Sequence, residues 1–217
     1  MNFNLTEEQL AIADMATSLF TDTCTDQYLR DYDDAGQGTM SDLWTASIET
    51  GLQGVIIPEA NGGIDLGMTE LSLVLQAQGG SLAQGPLWRH QVAAAAIAKF
   101  AGSDFAAVVA AAAEGSNLLT LAFNLVNTTS GADIIAQQNG DSIELNGLVQ
   151  AVAVAGLADF VLLPFTLNGV TRWAVLDSKV AGLSLVAGQM THGEEVADMH
   201  LKNVVIASSA LLAPKAN

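Results

Sequence analysis

The apolar residues of this chain change their spacing once, near residue 115, and nothing else in the sequence restricts the fold as much. Before that point they recur every three or four positions, the period of a helix with one buried face. After it they come in short β-branched or leucine-rich runs, separated by turn sequences such as Asn139-Gly140-Asp141 and Asn168-Gly169. That is the pattern of strands joined by tight turns. Helices first and strands afterwards do not build alternating β-α-β units; they segregate. The expected fold class is α+β. An N-terminal all-α helical domain is expected over 1–115, and a small antiparallel β-barrel or sandwich domain over 116–217.

The helical half carries its own start and stop signals. Thr6-Glu7-Glu8-Gln9 has the form of a capping box, in which the Thr6 hydroxyl and the Gln9 side chain satisfy each other's orphan amides. Leu10, Ala13, Ala16, Thr17 and Phe20 then form one apolar face. A second helix surrounds Leu43, Trp44 and Ile48, with Gly51 placed as its left-handed stop. A third is expected over Met68 to Gln78, with Thr69 as N-cap, Glu70 in its first turn and Gly79-Gly80 as terminator. Pro86 suits the first turn of a helix running through Phe100, and Ser103 begins a last one ending near Gly115. The strands expected beyond it are Leu118 to Phe123, Ile134 to Gln137, Ser142 to Leu145, Val149 to Ala155, Phe160 to Phe165, Thr171 to Asp177 and Met199 to Ile206.

Charge excludes whole classes of partner. Lys and Arg number 7 against 23 Asp and Glu, a formal net charge of −16, and up to Glu70 the single base is Arg30. A nucleic-acid reader needs a basic footprint to displace counterions, and an anionic membrane surface asks for the same. Neither partner is expected. Mean hydropathy is positive at +0.36. Even so, Lys99, Glu114 and Asp159 interrupt every apolar run short of the roughly 20 residues that span a bilayer. Met1 to Gln9 lacks the basic and apolar regions of a signal peptide. The chain reads as a soluble, cytoplasmic protein, and the lone Cys24 provides no internal disulfide.

Chemistry-bearing patterns are sparse. There is no G-x-x-x-x-G-K-[ST] loop, no G-x-G-x-x-G between strand and helix, and no G-x-S-x-G elbow. His192, Glu194, Glu195 and His200 have ligand-type side chains, but a turn at Gly193 and a strand from about Val196 would send neighbours to opposite faces. No metal site is expected. His90 reads as a surface or helix-packing residue rather than a base. Trp44, Trp88 and Trp173 read as core or domain-contact anchors rather than one stacking platform.

One segment is unusual: Gly51-Leu-Gln-Gly54-Val-Ile-Ile57-Pro58-Glu59-Ala-Asn-Gly62-Gly63-Ile-Asp-Leu-Gly67-Met68. A short buried extended stretch, Val55 to Ile57, is expected to meet Pro58, with Gly62-Gly63 reversing the chain before the next helix. Together with Trp44 before it, and Gly79, Pro86 and Leu87 after it, this segment resembles the N-terminal helical domain of the acyl-CoA dehydrogenases. The family writes a Trp-containing helix, then G-L-x-G-[VIL]-x-x-P-E-x-x-G-G-x-x-L-G, then a helix ending at glycine followed by P-L. Leu5 to Gln9 resembles the family's first helix start. Leu145-Asn146-Gly147, Ala155 and Ala158-Asp159 resemble the N-G-x-K-x-W-I-T-N-A-x-x-A-D stretch of its middle β-domain.

The resemblance implies FAD as cofactor, an acyl-CoA substrate oxidised to the trans-2-enoyl-CoA, an electron-transfer flavoprotein as redox partner, and a homo- or hetero-oligomer. It places the catalytic glutamate of most members in a C-terminal helical bundle, which this chain, ending at Asn217, is expected to lack; no catalytic residue is inherited by motif. The middle-domain flavin contacts differ as well. Phe123 and Asn124 stand for the Thr and Glu of T-E-P, and Ala151 and Ala153 for the Trp and Thr of W-I-T. Val152, between them, keeps the apolar character of that flavin-facing strand and is the one cofactor-binding candidate. Each hydroxyl hydrogen bond of the kind the family uses there contributes on the order of 0.5–1.5 kcal/mol. The resemblance therefore supports two readings: part of an acyl-CoA dehydrogenase, inactive in isolation, or a non-catalytic subunit of a heteromeric one that shapes the acyl pocket for bulky substrates such as sterol side chains. A third reading, outside the family, is a small helical plus β-sandwich binding or scaffold protein.

Overall fold

Six helices precede seven strands in a computed structural model that describes residues 4–36, 39–123 and 133–213. Thr6 caps α1 (Glu7–Thr23) as the sequence requires: its hydroxyl accepts from the Gln9 amide, and Gln9 Oε1 accepts from the Thr6 amide. α2 (Asp26–Asp34) lies where no helix was expected. Thr25 caps it, and Tyr28, Leu29 and Tyr32 reach the helical core. α3 (Ser41–Glu49) ends as expected before Gly51 in the left-handed conformation, φ 76°.

The Gly51–Gly67 segment departs from expectation at Val55. Its φ of −53° and ψ of −45° make the stretch a right-handed turn rather than an extended run. The reason is a backbone clip: the amides of Ile64, Asp65 and Leu66 donate to the carbonyls of Gly54, Ile57 and Val55. Folding the loop back this closely leaves no room at Gly63, where a Cβ would lie 2.1 Å from the Ile57 carbonyl oxygen. α4 (Met68–Gly80) is capped by Gly67 rather than Thr69. Glu70 is the cause, because its carboxylate reaches back to the Gly67 amide (2.9 Å) while also accepting from Gln9 Nε2 (2.7 Å) on α1. These bonds favour the charged carboxylate and hold its pKa below the usual value. α5 (Leu87–Phe100) starts after Pro86, and α6 (Ala106–Ala113) follows a short 3-10 turn at Ser103–Phe105. No helix of the described residues is long and apolar enough to cross a membrane.

The strands are β1 (Leu119–Leu121), β2 (Asp133–Asn139), β3 (Ser142–Ala153), β4 (Phe160–Leu167), β5 (Val170–Asp177), β6 (Leu183–Gln189) and β7 (Glu195–Ala207). Two expected strands merge into β3, which bends through register shifts at Leu145/Gly147 and Val149/Val152 against β7. β6 was not expected; nearly all of it is exposed, so it carries no buried alternation to read. The sheet is mixed, not purely antiparallel. One edge of β4 takes β5 antiparallel along its whole length. The opposite edge pairs parallel with β1 through Phe160–Leu162 and with β2 at Thr166. β1 and β2 therefore both run in the direction of β4, with β5 opposed to it.

β4 and β5 are buried on both faces. Val161, Leu163, Phe165, Ala174 and Leu176 fill the core of the curled sheet, while Leu162 and Val175 join Ala93, Ala94, Ile97 and Ala112 of α5 and α6 in another. A third cluster holds α1, α3 and α4 together around Phe20, Leu43 and Leu71. The chain passes from helix to strand between Ala113 and Leu119, and α5, with α6 beside it, packs on the sheet.

Candidate functional site

α5 has two faces with different work. Its core face carries His90 and Gln91, both with no exposed surface. Gln91 Nε2 donates to the Leu52 carbonyl and its Oε1 accepts from the Ile56 amide, fixing the glycine-rich segment. His90 Nδ1 accepts from the Leu119 amide of β1 (3.2 Å), which leaves the proton on Nε2 to donate to the Ala112 carbonyl of α6 (3.1 Å). The ring meets Trp44 edge-on with centroids 5.0 Å apart. One neutral imidazole thus ties α5, α6 and β1 together, and burial pushes its pKa down to about 4.

The other face of α5 lines a cavity. Trp88, Val92, Ala96 and Phe100, spaced four apart, form one wall, and Leu121, Phe123, Leu162 and Trp173 form the other. The closing segment Leu211–Ala213 completes the cavity with Leu212; Leu212 donates to the Trp173 carbonyl and Ala213 to the Phe100 carbonyl. The space is about 450 Å³ and almost wholly apolar. Its size falls within the ordinary range for small-molecule sites, and its four aromatic rings suit a large hydrocarbon group. Two of the three tryptophans, read from sequence as scattered anchors, therefore meet at one site, while Trp44 packs on His90. The four-apart spacing of the α5 stripe is a signal in the sequence that went unread; the wall it faces, drawn from three strands, has no such signal.

The positions compared with flavin contacts present a different picture. Phe123 is about half exposed (53%) and turns its ring to the cavity. Asn124 lies outside the described residues. Ala151 sits in the β3 bulge at φ 53°, where Asp198 Oδ1 on β7 accepts its amide (2.8 Å). The Ala153 carbonyl accepts from the buried Thr120 hydroxyl (2.8 Å). Val152 is 1% exposed and its side chain lies in the core of the sheet, so the strand offers main chain only at that position. With no donor side chain at Ala151, Val152 or Ala153, and with two of their main-chain groups already bonded, these residues do not fit a flavin held by hydrogen bonds from this strand.

The His192 to His200 cluster is taken up elsewhere. Glu194 pairs with Arg89 of α5 and stands 3.4 Å from His192 Nε2, while His200 is exposed on β7. Among the described residues no group of three or more His, Cys, Asp or Glu side chains is placed to hold a metal ion.

A family model described as acyl-CoA dehydrogenase, N-terminal domain, matches residues 6–114. Comparison with the curated proteins gives no match. Among solved structures, the ChsE4-ChsE5 complex from Mycobacterium tuberculosis is similar at 23% identity and a TM-score of 0.90, covering 99% of this chain and 59% of the matched one. A steroid ACAD variant, Tcur3481-Tcur3483 G363A, matches at 28% identity and TM-score 0.86, covering 96% and 57%. A glutaryl-CoA dehydrogenase from Mycobacterium smegmatis in complex with FADH2 matches at 16% and 0.85, covering 96% and 56%. The chain thus spans less than two thirds of each of these structures.

Proposed function

The chain belongs to the acyl-CoA dehydrogenase family, and on that premise we propose that it binds the acyl group of a CoA thioester in the cavity beside α5, as a subunit of a heteromeric acyl-CoA dehydrogenase that contributes no flavin-holding side chains. The observation that carries this reading is a contrast within the chain. The cavity is walled by Trp88, Phe100, Phe123 and Trp173, whereas the strand positions compared with flavin contacts, Ala151 and Ala153, hold no hydrogen-bonding side chain. Heteromeric relatives support the assembly, and the steroid ACAD among them supports a bulky acyl group, such as a fatty or sterol side chain. FAD, which carries hydride chemistry in this family, is then held by a partner subunit rather than by Val152 and its neighbours, whose side chains offer no hydrogen bond. Electrons would leave from that partner to an electron-transfer flavoprotein, and the cytoplasm is the proposed location. The isolated chain is expected to turn over no acyl-CoA.

What the chain's residues do in this reading is exclude water from an alkyl or ring system and orient it. Burial is worth about 0.8 kcal/mol per methylene, so two more carbons should tighten binding roughly 15-fold while the cavity has room. Calorimetric titration of the chain with butyryl-, hexanoyl- and octanoyl-CoA tests this, together with Ala96→Trp, which fills the cavity from α5. Affinity that rises with acyl length and is flattened by Ala96→Trp supports the reading. Affinity equal to that of free CoA, or unchanged by the substitution, refutes it.

A further inference from the structure

The turn between β6 and β7 does not stand free: it closes onto the helical half beside the cavity. Gln84 Nε2 donates to the His192 carbonyl (3.0 Å), and Thr39 lies 3.5 Å from the Glu195 carboxylate. The strongest link is Arg89, whose guanidinium forks onto Glu194 with one bond to Oε1 and another of 3.1 Å to Oε2. Both side chains are about four-fifths buried (20% and 18% exposed), which protects the pair from screening by salt. A planar fork fixes orientation as well as position.

That orientation matters because the guanidinium has a second contact. Its central carbon lies 4.5 Å from the centroid of the Trp88 ring, the first member of the α5 stripe that walls the cavity. The indole is therefore held between the cavity and a cation that the hairpin keeps in place. Turning the ring away from the cavity would cost the cation–π contact, and the cation cannot follow while Glu194 grips it.

We propose that Arg89 is a specificity-determining positioning residue. Anchored by Glu194 it fixes the Trp88 indole as a wall, so that the β6–β7 turn, 105 residues away in sequence, sets the largest acyl group the cavity admits. The substrate part of this rests on the acyl-binding reading above; the hold on Trp88 does not. Glu194→Gln keeps the shape and removes the charge, and Arg89→Lys keeps the charge and removes the fork and the flat face.

The chain labelled with 5-fluorotryptophan gives one fluorine resonance each for Trp44, Trp88 and Trp173, assignable by single Trp→Phe substitutions. In both variants the Trp88 line is expected to shift or broaden while the other two hold. In parallel, the affinity for a fused-ring acyl-CoA relative to octanoyl-CoA is expected to rise about threefold or more. An unmoved Trp88 line, or an equal drop in affinity for both thioesters, overturns the proposal and leaves the pair a structural link only. Wild-type chain that binds neither thioester refutes the acyl-binding reading and the specificity role with it, while the fluorine spectra still decide whether Arg89 holds the ring.

Discussion

The two halves of this molecule are specified in different ways. In the helical half, the Gly51–Gly67 segment is shaped by close backbone contacts within itself, as where Gly63 passes against the Ile57 carbonyl, and Gln91 then pins it to α5. Few residue types satisfy such a backbone, so the demand is written in the sequence and a family model matches 6–114. In the β half, the structure is dictated by pairing between distant segments, β3 with β7 and β4 with β1. A ladder of backbone bonds accepts many side chains, so residues can change at the compared flavin positions while the sheet keeps its form. The difference teaches where recognisable sequence comes from: it follows backbone constraint more closely than it follows chemistry.

The sharpest break of that contrast is Gly63→Ala. A Cβ there would lie 2.1 Å from the Ile57 oxygen and 2.5 Å from its carbonyl carbon and its Cβ, none of which can swing aside. A loss above about 4 kcal/mol, or failure to fold, is expected in urea denaturation. A milder cost would show the segment to be more pliable than its sequence suggests.

His90, the joint between the halves, comes next. His90→Leu strands the Leu119 amide and the Ala112 carbonyl in a dry site, and a loss of about 2–4 kcal/mol is expected. The wild type should also carry a pH signature. The folded pKa of about 4 lies below the unpaired value of 6.5, so the unfolded chain binds the extra proton first. Stability from this group is complete above pH 6.5 and is lost as pH falls toward 4, by about 3 kcal/mol in total. Thermal melts across that window should show the slope in the wild type and a reduced one in His90→Leu.

The smallest effect is expected in the β half. Asp198→Ala removes the acceptor that holds the Ala151 amide in its bulge, at φ 53°, and should cost about 1–3 kcal/mol while far-ultraviolet circular dichroism stays unchanged. A loss as large as that of Gly63→Ala would abolish the distinction between the halves.

What the sequence revealed follows the same division. The capping box at Thr6, the stop at Gly51 and the helix after Pro86 are local and were legible. α2 was not, because Arg30, Asp31, Asp33 and Asp34 mask the three residues, Tyr28, Leu29 and Tyr32, that anchor it. Val55 to Ile57 looked extended because β-branched runs favour strands, but the bonds that bend the stretch come from Ile64 to Leu66. The parallel pairing of β1 and β4 has no sequence marker, since strand direction is set by the tertiary fold and not by side chains. At the candidate site the α5 stripe went unread, although its four-apart spacing was present in the sequence, and Trp173, Leu162 and Arg89–Glu194 join it only through the tertiary fold.

In the proposed function this chain offers an acyl group a cavity and offers a flavin no hydrogen-bonding side chain at Ala151, Val152 or Ala153. Equilibrium dialysis of the full chain against FAD, read by flavin absorbance, tests it most directly. The account predicts no retention at micromolar FAD by the chain alone; stoichiometric retention at that concentration would contradict it.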